Sequence, residues 1–215
     1  MNKSYNNNQI GTEQFDEYAA AKEQFLEMIE SLETDEMHGR EHWDIEQFVL
    51  EQGTEVMRKA VQGHLNSRAK KEPLHDSIIT ADGVELNHHR QSCKRDLMTV
   101  FGEVEVKRIG YNQREQTSLF PLDAQLNLPE NKYSHGMQWR AVENVIHVSF
   151  DTAKESVAST TGGKIPKHQM QDLMVDIAQD FDDFYKTREA KVPEQTVMIC
   201  CKRHCAEILK STALG

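Results

Sequence analysis

A chain of 215 residues with 28% charged and 38% hydrophobic residues is long enough for one or two compact domains, and it reads as soluble, polar and helix-rich. Its formal net charge of −10 argues against a uniformly basic nucleic-acid binder. No apolar run approaches the roughly 18 residues needed to span a bilayer.

Charge is unevenly spread. Residues 1–57 hold 3 Lys/Arg against 14 Asp/Glu, residues 58–115 hold 11 against 8, and residues 116–190 hold 7 against 11. Of these three segments only 58–115, the linker and hairpin, is basic. Cys93, Cys200, Cys201 and Cys205 show no framework spacing, so a reducing cytoplasm is the expected setting.

In chain order, residues 1–12 are polar and Asn-rich, a disordered tail by composition rather than a signal peptide. Residues 13–66 read as a helical hairpin. Phe15, Tyr18, Ala19, Phe25, Leu26, Ile29 and Leu32 recur at helical spacing over 13–32. Phe48, Val49, Val56, Met57, Ala60, Val61 and Leu65 form the apolar face of a second helix, with Asp44 as its cap. The stretch 34–41 breaks the two.

Residues 67–130 read as a linker and small β-sheet region. A basic linker (Arg68, Lys70, Lys71, Pro73) precedes Ile78-Ile-Thr and Val84-Glu-Leu, which flank the turn signal Asp82-Gly83. Val100, Val104, Val106 and Arg108 alternate around Gly102, predicting a second hairpin over 97–111. The two hairpins together predict a sheet of about four strands.

Residues 131–190 change to helical periodicity. Met137, Ala141, Val145 and Val148 mark a first helix. Ser149 caps a second, with Phe150, Ala153 and Val157 buried. Gly162-Gly163 ends it as a helix cap, Ile165 packs inward, and Pro166 opens a third helix carrying Met170, Leu173, Met174, Ile177 and Phe181. The expected class is α+β: helical hairpin, small antiparallel sheet, then a helical domain with a helix-turn-helix-like segment. Residues 191–215 read as an incomplete C-terminal strand.

The motifs Thr99-Val-Phe-Gly-Glu-Val-Glu-Val-Lys-Arg-Ile-Gly-Tyr111, Phe120-Pro-Leu-Asp-Ala-Gln-Leu-Asn-Leu-Pro129, Tyr133-Ser-His-Gly136, Ser149-Phe-Asp151, Thr160-Thr-Gly162 and Gln179-Asp-Phe-Asp182 stand in order. In these the chain resembles the N-terminal part of bacterial insertion-sequence transposases of the IS-Kra group. The resemblance runs over 97–188. It implies recognition of element ends in duplex DNA, ahead of a ribonuclease-H-like domain in which three carboxylates hold two Mg²⁺ ions.

By the resemblance that domain would begin after Val192 with a strand ending in Asp-Gly-Lys-Gly. Here the stretch reads Val197-Met-Ile-Cys-Cys-Lys-Arg-His-Cys205, with no acid within three residues of Arg203. The expectation is a truncated or frame-disrupted start of the catalytic domain, no strand cutting by this chain, and no cofactor of its own. Mg²⁺ would belong to a catalytic domain supplied elsewhere.

Candidate DNA contacts follow from chemistry. Lys164, Lys167, His168, Gln169 and Gln171 stand at the start of the third helix, where side chains meet phosphates and base edges. Arg95, Lys107 and Arg108 on the hairpin are candidates for phosphate contacts, although Glu103 and Glu105 interleave with them. Expected partners are duplex DNA and a second copy or a full-length transposase, without a membrane. Two other classes remain open: a standalone DNA-binding regulator or inhibitor of transposition, and a helical interaction protein that does not touch DNA.

Other constellations are weaker. His88, His89 and Cys93 lack the second ligand pair of a structural zinc site. Cys200, Cys201, His204 and Cys205 crowd adjacent cysteines that chelate one ion poorly. Thr160-Thr-Gly-Gly-Lys164 lacks the first glycine and the final Ser/Thr of a phosphate-binding loop.

Overall fold

The computed structural model describes residues 16–114 and 116–187 and is α+β, with seven helices and two antiparallel two-stranded sheets among those residues. It divides into two units. Among the described residues the first holds 16–97 and 101–132, and the second holds 98–100 and 133–187. The readings for residues 1–12 and 191–215 lie outside the described residues.

The first unit opens with helix α1 (Ala19–Leu32), a short α2 (Asp35–His38) and the long α3 (His42–Lys70). The helical hairpin is there, but its bounds and contact face differ from expectation. Asp16 accepts a hydrogen bond from the Tyr18 N–H, a turn that delays α1 until Ala19. Ala21 and Met28 are the buried positions of α1, whereas Phe25, Leu26 and Ile29 are exposed. Helix α3 is preceded by Glu41 rather than by an Asp44 cap. It runs through Arg68 to Lys70, residues expected in a linker, because no breaker precedes Pro73.

Two short strands, β1 (Ile78–Ile79) and β2 (Glu85–Leu86), pair antiparallel, Ile78 with Leu86 and Ile79 with Glu85. Gly83 turns the chain between them at φ +79°, the left-handed conformation that an Asp-Gly pair favours. The longer ribbon pairs β3 (His88–Thr99) with β4 (Gly102–Asn112). Gly102 takes φ +120° at its turn.

The four strands do not merge into one sheet. β4's outer edge is already occupied. Gln62 of α3 donates to the Glu105 carbonyl at 2.9 Å and accepts from its N–H at 2.8 Å. Arg58 donates to the Glu103 carbonyl, Glu72 accepts from the Ile109 N–H at 2.8 Å, and Leu119 exchanges two backbone bonds with Tyr111. These bonds satisfy an edge that would otherwise invite another strand. Beneath them Leu65, Leu97, Val104 and Val106 form a core, joined by Val61, Leu126 and Leu128.

In the second unit, α5 (His135–Val145), α6 (Phe150–Thr160) and α7 (Lys167–Thr187) surround a core of Tyr133, Met137, Ala141, Ala153, Val157, Ile165, Met170 and Leu173. A short α4 (Pro121–Gln125) belongs to the first unit. Ser134 and Ser149 cap α5 and α6 by accepting from the N–H groups of Met137 and Thr152. Val148, expected on the buried face, is exposed because α5 has ended at Val145.

Gly162-Gly163 is not a left-handed helix cap. Thr161 ends α6 in extended conformation. Gly163 is needed for close approach: a Cβ there would lie 2.8 Å from the Thr99 carbonyl oxygen and 2.7 Å from the Met137 methyl carbon. The ribbon tip is thereby seated in this unit. Gly162 donates to the Val100 carbonyl at 2.8 Å and Ser134 to the Met98 carbonyl at 2.9 Å.

Replacing Gln62 with Leu keeps the bulk and removes both bonds to Glu105. Because the backbone groups at Glu105 are only partly buried, the expected loss of stability is about 1–2 kcal/mol. Urea unfolding of the two proteins measures it.

Candidate nucleic-acid interface

The eight residues proposed for DNA contact fall into three environments. Arg95 and Arg108 are inward-facing side chains of the ribbon, 14% and 10% exposed, and both pair with Asp123 of α4. Arg95 also donates to the carbonyls of Pro129 at 2.9 Å and Asn131 at 2.6 Å, tying down the loop after α4. The Arg108 guanidinium lies 3.8 Å from the centroid of the Phe120 ring.

Burial pulls Arg95 below the ordinary guanidinium range. Burial and then the neighbouring Arg95 charge do the same to Arg108. Burial raises the carboxyl of Glu72, whose attraction to Arg108 and bond from Ile109 oppose the rise. Arg95 and Arg108 are therefore internal struts and not phosphate contacts, which corrects the expectation for both. The signal was in the alternation: Arg108 shares its strand phase with Val104 and Val106, and such a position faces the core.

Lys107 is exposed, 3.7 Å from Glu105, which also binds Lys94 at 2.9 Å. These lysines hold the Glu105 carboxyl below its usual range, with Lys94 the larger influence. The ribbon's outer face is thus locally neutralised. His88 and His89 are exposed and Cys93 is buried against Arg90, so they do not converge. Among the described residues no group of three or more His, Cys, Asp or Glu is placed to hold a metal ion.

The third environment is the start of α7. Lys164, Lys167, His168 and Gln171 are exposed there. Lys167 forms an ion pair with Asp151, in the first turn of α6, at 2.5 Å. His168 faces Asp172 one turn on at 2.8 Å. Gln169 differs from the rest: it is half-buried and accepts a hydrogen bond from the Tyr133 hydroxyl. Its role is in packing.

The connection from α6 to α7 is six residues, 161–166, longer than the three or four of a compact helix-turn-helix. Exposed Asp172 and Asp176 confine any phosphate approach to the first turn or two of α7. Lys154, exposed on α6, and Trp139, half-exposed on α5, belong to no motif and carry no signal in the sequence.

A three-helix unit carrying a polar, partly basic helix start, preceded by a ribbon-and-helix unit, defines an α+β protein with one candidate helical reading head. Residues 76–197 match the family described as Uncharacterised protein family (UPF0236), and the chain belongs to that family. No curated protein and no solved structure matches the chain. No described helix is long and apolar enough to cross a membrane.

Asp123→Asn leaves Arg95 and Arg108 as like charges without their shared counter-ion. The expected cost is about 2–4 kcal/mol, since breaking a largely buried ion pair leaves uncompensated charge. Guanidinium unfolding monitored by circular dichroism reads it, and a variant as stable as the parent would return the two arginines to the list of free cations.

Proposed function

We propose that the chain recognises duplex DNA at the ends of an insertion element, as a recognition component of DNA transposition in the cytoplasm rather than as the strand-cutting enzyme. The observation that carries this reading is the exposed cluster at the start of α7, with Lys167, His168 and Gln171 on its first turns and Lys164 in the connection just before it, within a packed three-helix unit. A helix entering the major groove reads bases through its first turns. Gln is suited to adenine, while Lys is suited to phosphate or guanine.

The ordered motifs over 97–188 that resemble IS-Kra transposases support the same reading. In it the chain needs no metal of its own, and Mg²⁺ belongs with a catalytic domain. The acidic residues further along α7 repel phosphates, so binding is confined to the helix start and is strongly salt-dependent.

Fluorescence anisotropy with duplexes taken from both flanks of the gene, against shuffled duplexes, tests the proposal. Lys164→Ala with Lys167→Ala is expected to weaken binding roughly tenfold or more and to lower the log–log salt slope by roughly two, at about 0.9 per phosphate contact. Asp151→Asn, which releases Lys167, is expected to tighten it. Equal affinity for flanking and shuffled duplexes, or no response to the lysines, would overturn the reading.

A further inference from the structure

Helix α7 buries one side and shows another. Met170 and Leu173 belong to the core of the helical unit, with Met174 and Ile177 packed against it. At about 100° per residue, the opposite side carries His168, Gln171, Asp172 and Val175. All four are exposed. His168 and Asp172 already face each other, Nδ1 to Oδ2 at 2.8 Å. The Gln171 amide and the Val175 methyl groups, one turn apart, are what this side offers outward.

Val175 departs from the pattern that builds the rest of the helix. It is 58% exposed, while Met174 and Ile177 on either side of it pack inward. A β-branched side chain suits a solvated helix position poorly, because straight-chain residues lose less freedom there.

The flanks of this side are unequal. Lys167 lies on one and Asp176 on the other, both exposed. Phosphates are therefore met on the lysine flank. The side between carries an amide, two methyl groups and one matched pair of charges, which is equipment for choosing bases and not for gripping a backbone.

Both groups have partners in the major groove. A Gln amide donates to N7 of adenine and accepts from its N6 amino group, and an apolar side chain packs on the C5-methyl of thymine. Four residues of helix advance about 6 Å, close to two base steps of about 3.4 Å each. We propose that α7 reads an adenine with Gln171 and, two base pairs along, the methyl group of a thymine with Val175. The inference rests on the DNA reading above and names the bases that reading selects.

Anisotropy with the full chain and the flanking duplexes tests it, using base analogues that delete one group at a time. Uracil in place of every thymine removes only the C5-methyl groups. Binding is expected to weaken roughly fourfold, the worth of about one buried methyl group, and Val175→Ala is expected to lose that sensitivity. Replacing adenine by its 7-deaza analogue removes one of the two bonds to Gln171. The expected loss is roughly fivefold or more, with Gln171→Ala indifferent to the change. Both side chains are exposed, so the circular dichroism of the two variants is expected to match the parent's.

A chain that binds flanking and shuffled duplexes alike overturns the DNA reading and this inference with it. A chain that prefers the flanking duplexes but ignores uracil, or whose response to uracil survives Val175→Ala, keeps the DNA reading and overturns the inference. So does a response to 7-deazaadenine that survives Gln171→Ala.

Discussion

A two-stranded ribbon is barely stable in water, because half of its backbone hydrogen-bonding groups lie on unpaired edges and it has little surface to bury. The β3–β4 ribbon resolves this through side chains. Gln62 supplies one acceptor and one donor to Glu105, as a neighbouring strand would, and Arg58 and Glu72 serve Glu103 and Ile109 on the same edge. A helix thus stands in for a third strand. The apolar side of β4 then has Leu65 and Val61 to pack against. The ribbon tip, residues 98–100, is claimed by the helical unit, where the bonds to Met98 and Val100 and the close approach at Gly163 fix it.

The inward face of the ribbon changes character along its length, from Val104 and Val106 to Arg108. Beyond the valines the filling is ionic: Arg95, Arg108 and Asp123, with Glu72 alongside. Such a cluster adds little net stability over an apolar filling, yet it is costly to break and it is directional. Arg95 bonds two backbone carbonyls of the loop at Pro129 and Asn131. The irregular segment between α4 and α5 is therefore held by a strand side chain, which apolar packing alone would not specify.

Much of this was legible in the sequence where local chemistry decides. The serine cap at Ser149, the Asp82-Gly83 turn and the Gly102 turn all follow from short-range signals, and the core of the helical unit follows from periodicity. What sequence could not give is partner choice. Periodicity marks Phe25, Ile29, Val49 and Met57 as apolar faces, but it does not say which face α1 and α3 turn toward each other. The fold uses Ala21 and Met28 on α1 instead, small and flexible residues that allow close approach. The role of Gly163 is likewise invisible locally, since the atom that excludes a Cβ belongs to Thr99, 64 residues earlier.

The same distinction governs the electrostatic reading. Residues 58–115 carry 11 Lys/Arg against 8 Asp/Glu, an excess of positive charge. In the fold that excess is largely answered from within: Arg58 by Glu55, Lys70 by Glu17, Lys94 and Lys107 by Glu105, and Arg95 and Arg108 by Asp123. A count of charges describes a field only when the charges are free to face solvent. Among the residues proposed for DNA contact, the burden therefore moves from the ribbon to the start of α7. There Lys164, Lys167 and His168 stand exposed and their carboxylate neighbours, Asp151 and Asp172, are exposed as well. Ion pairs this open to water are weak, and a phosphate can replace a carboxylate in them at little cost. Lys167 can therefore exchange Asp151 for another anion. The ribbon's buried arginines cannot do this, because the groups they hold are the fold itself.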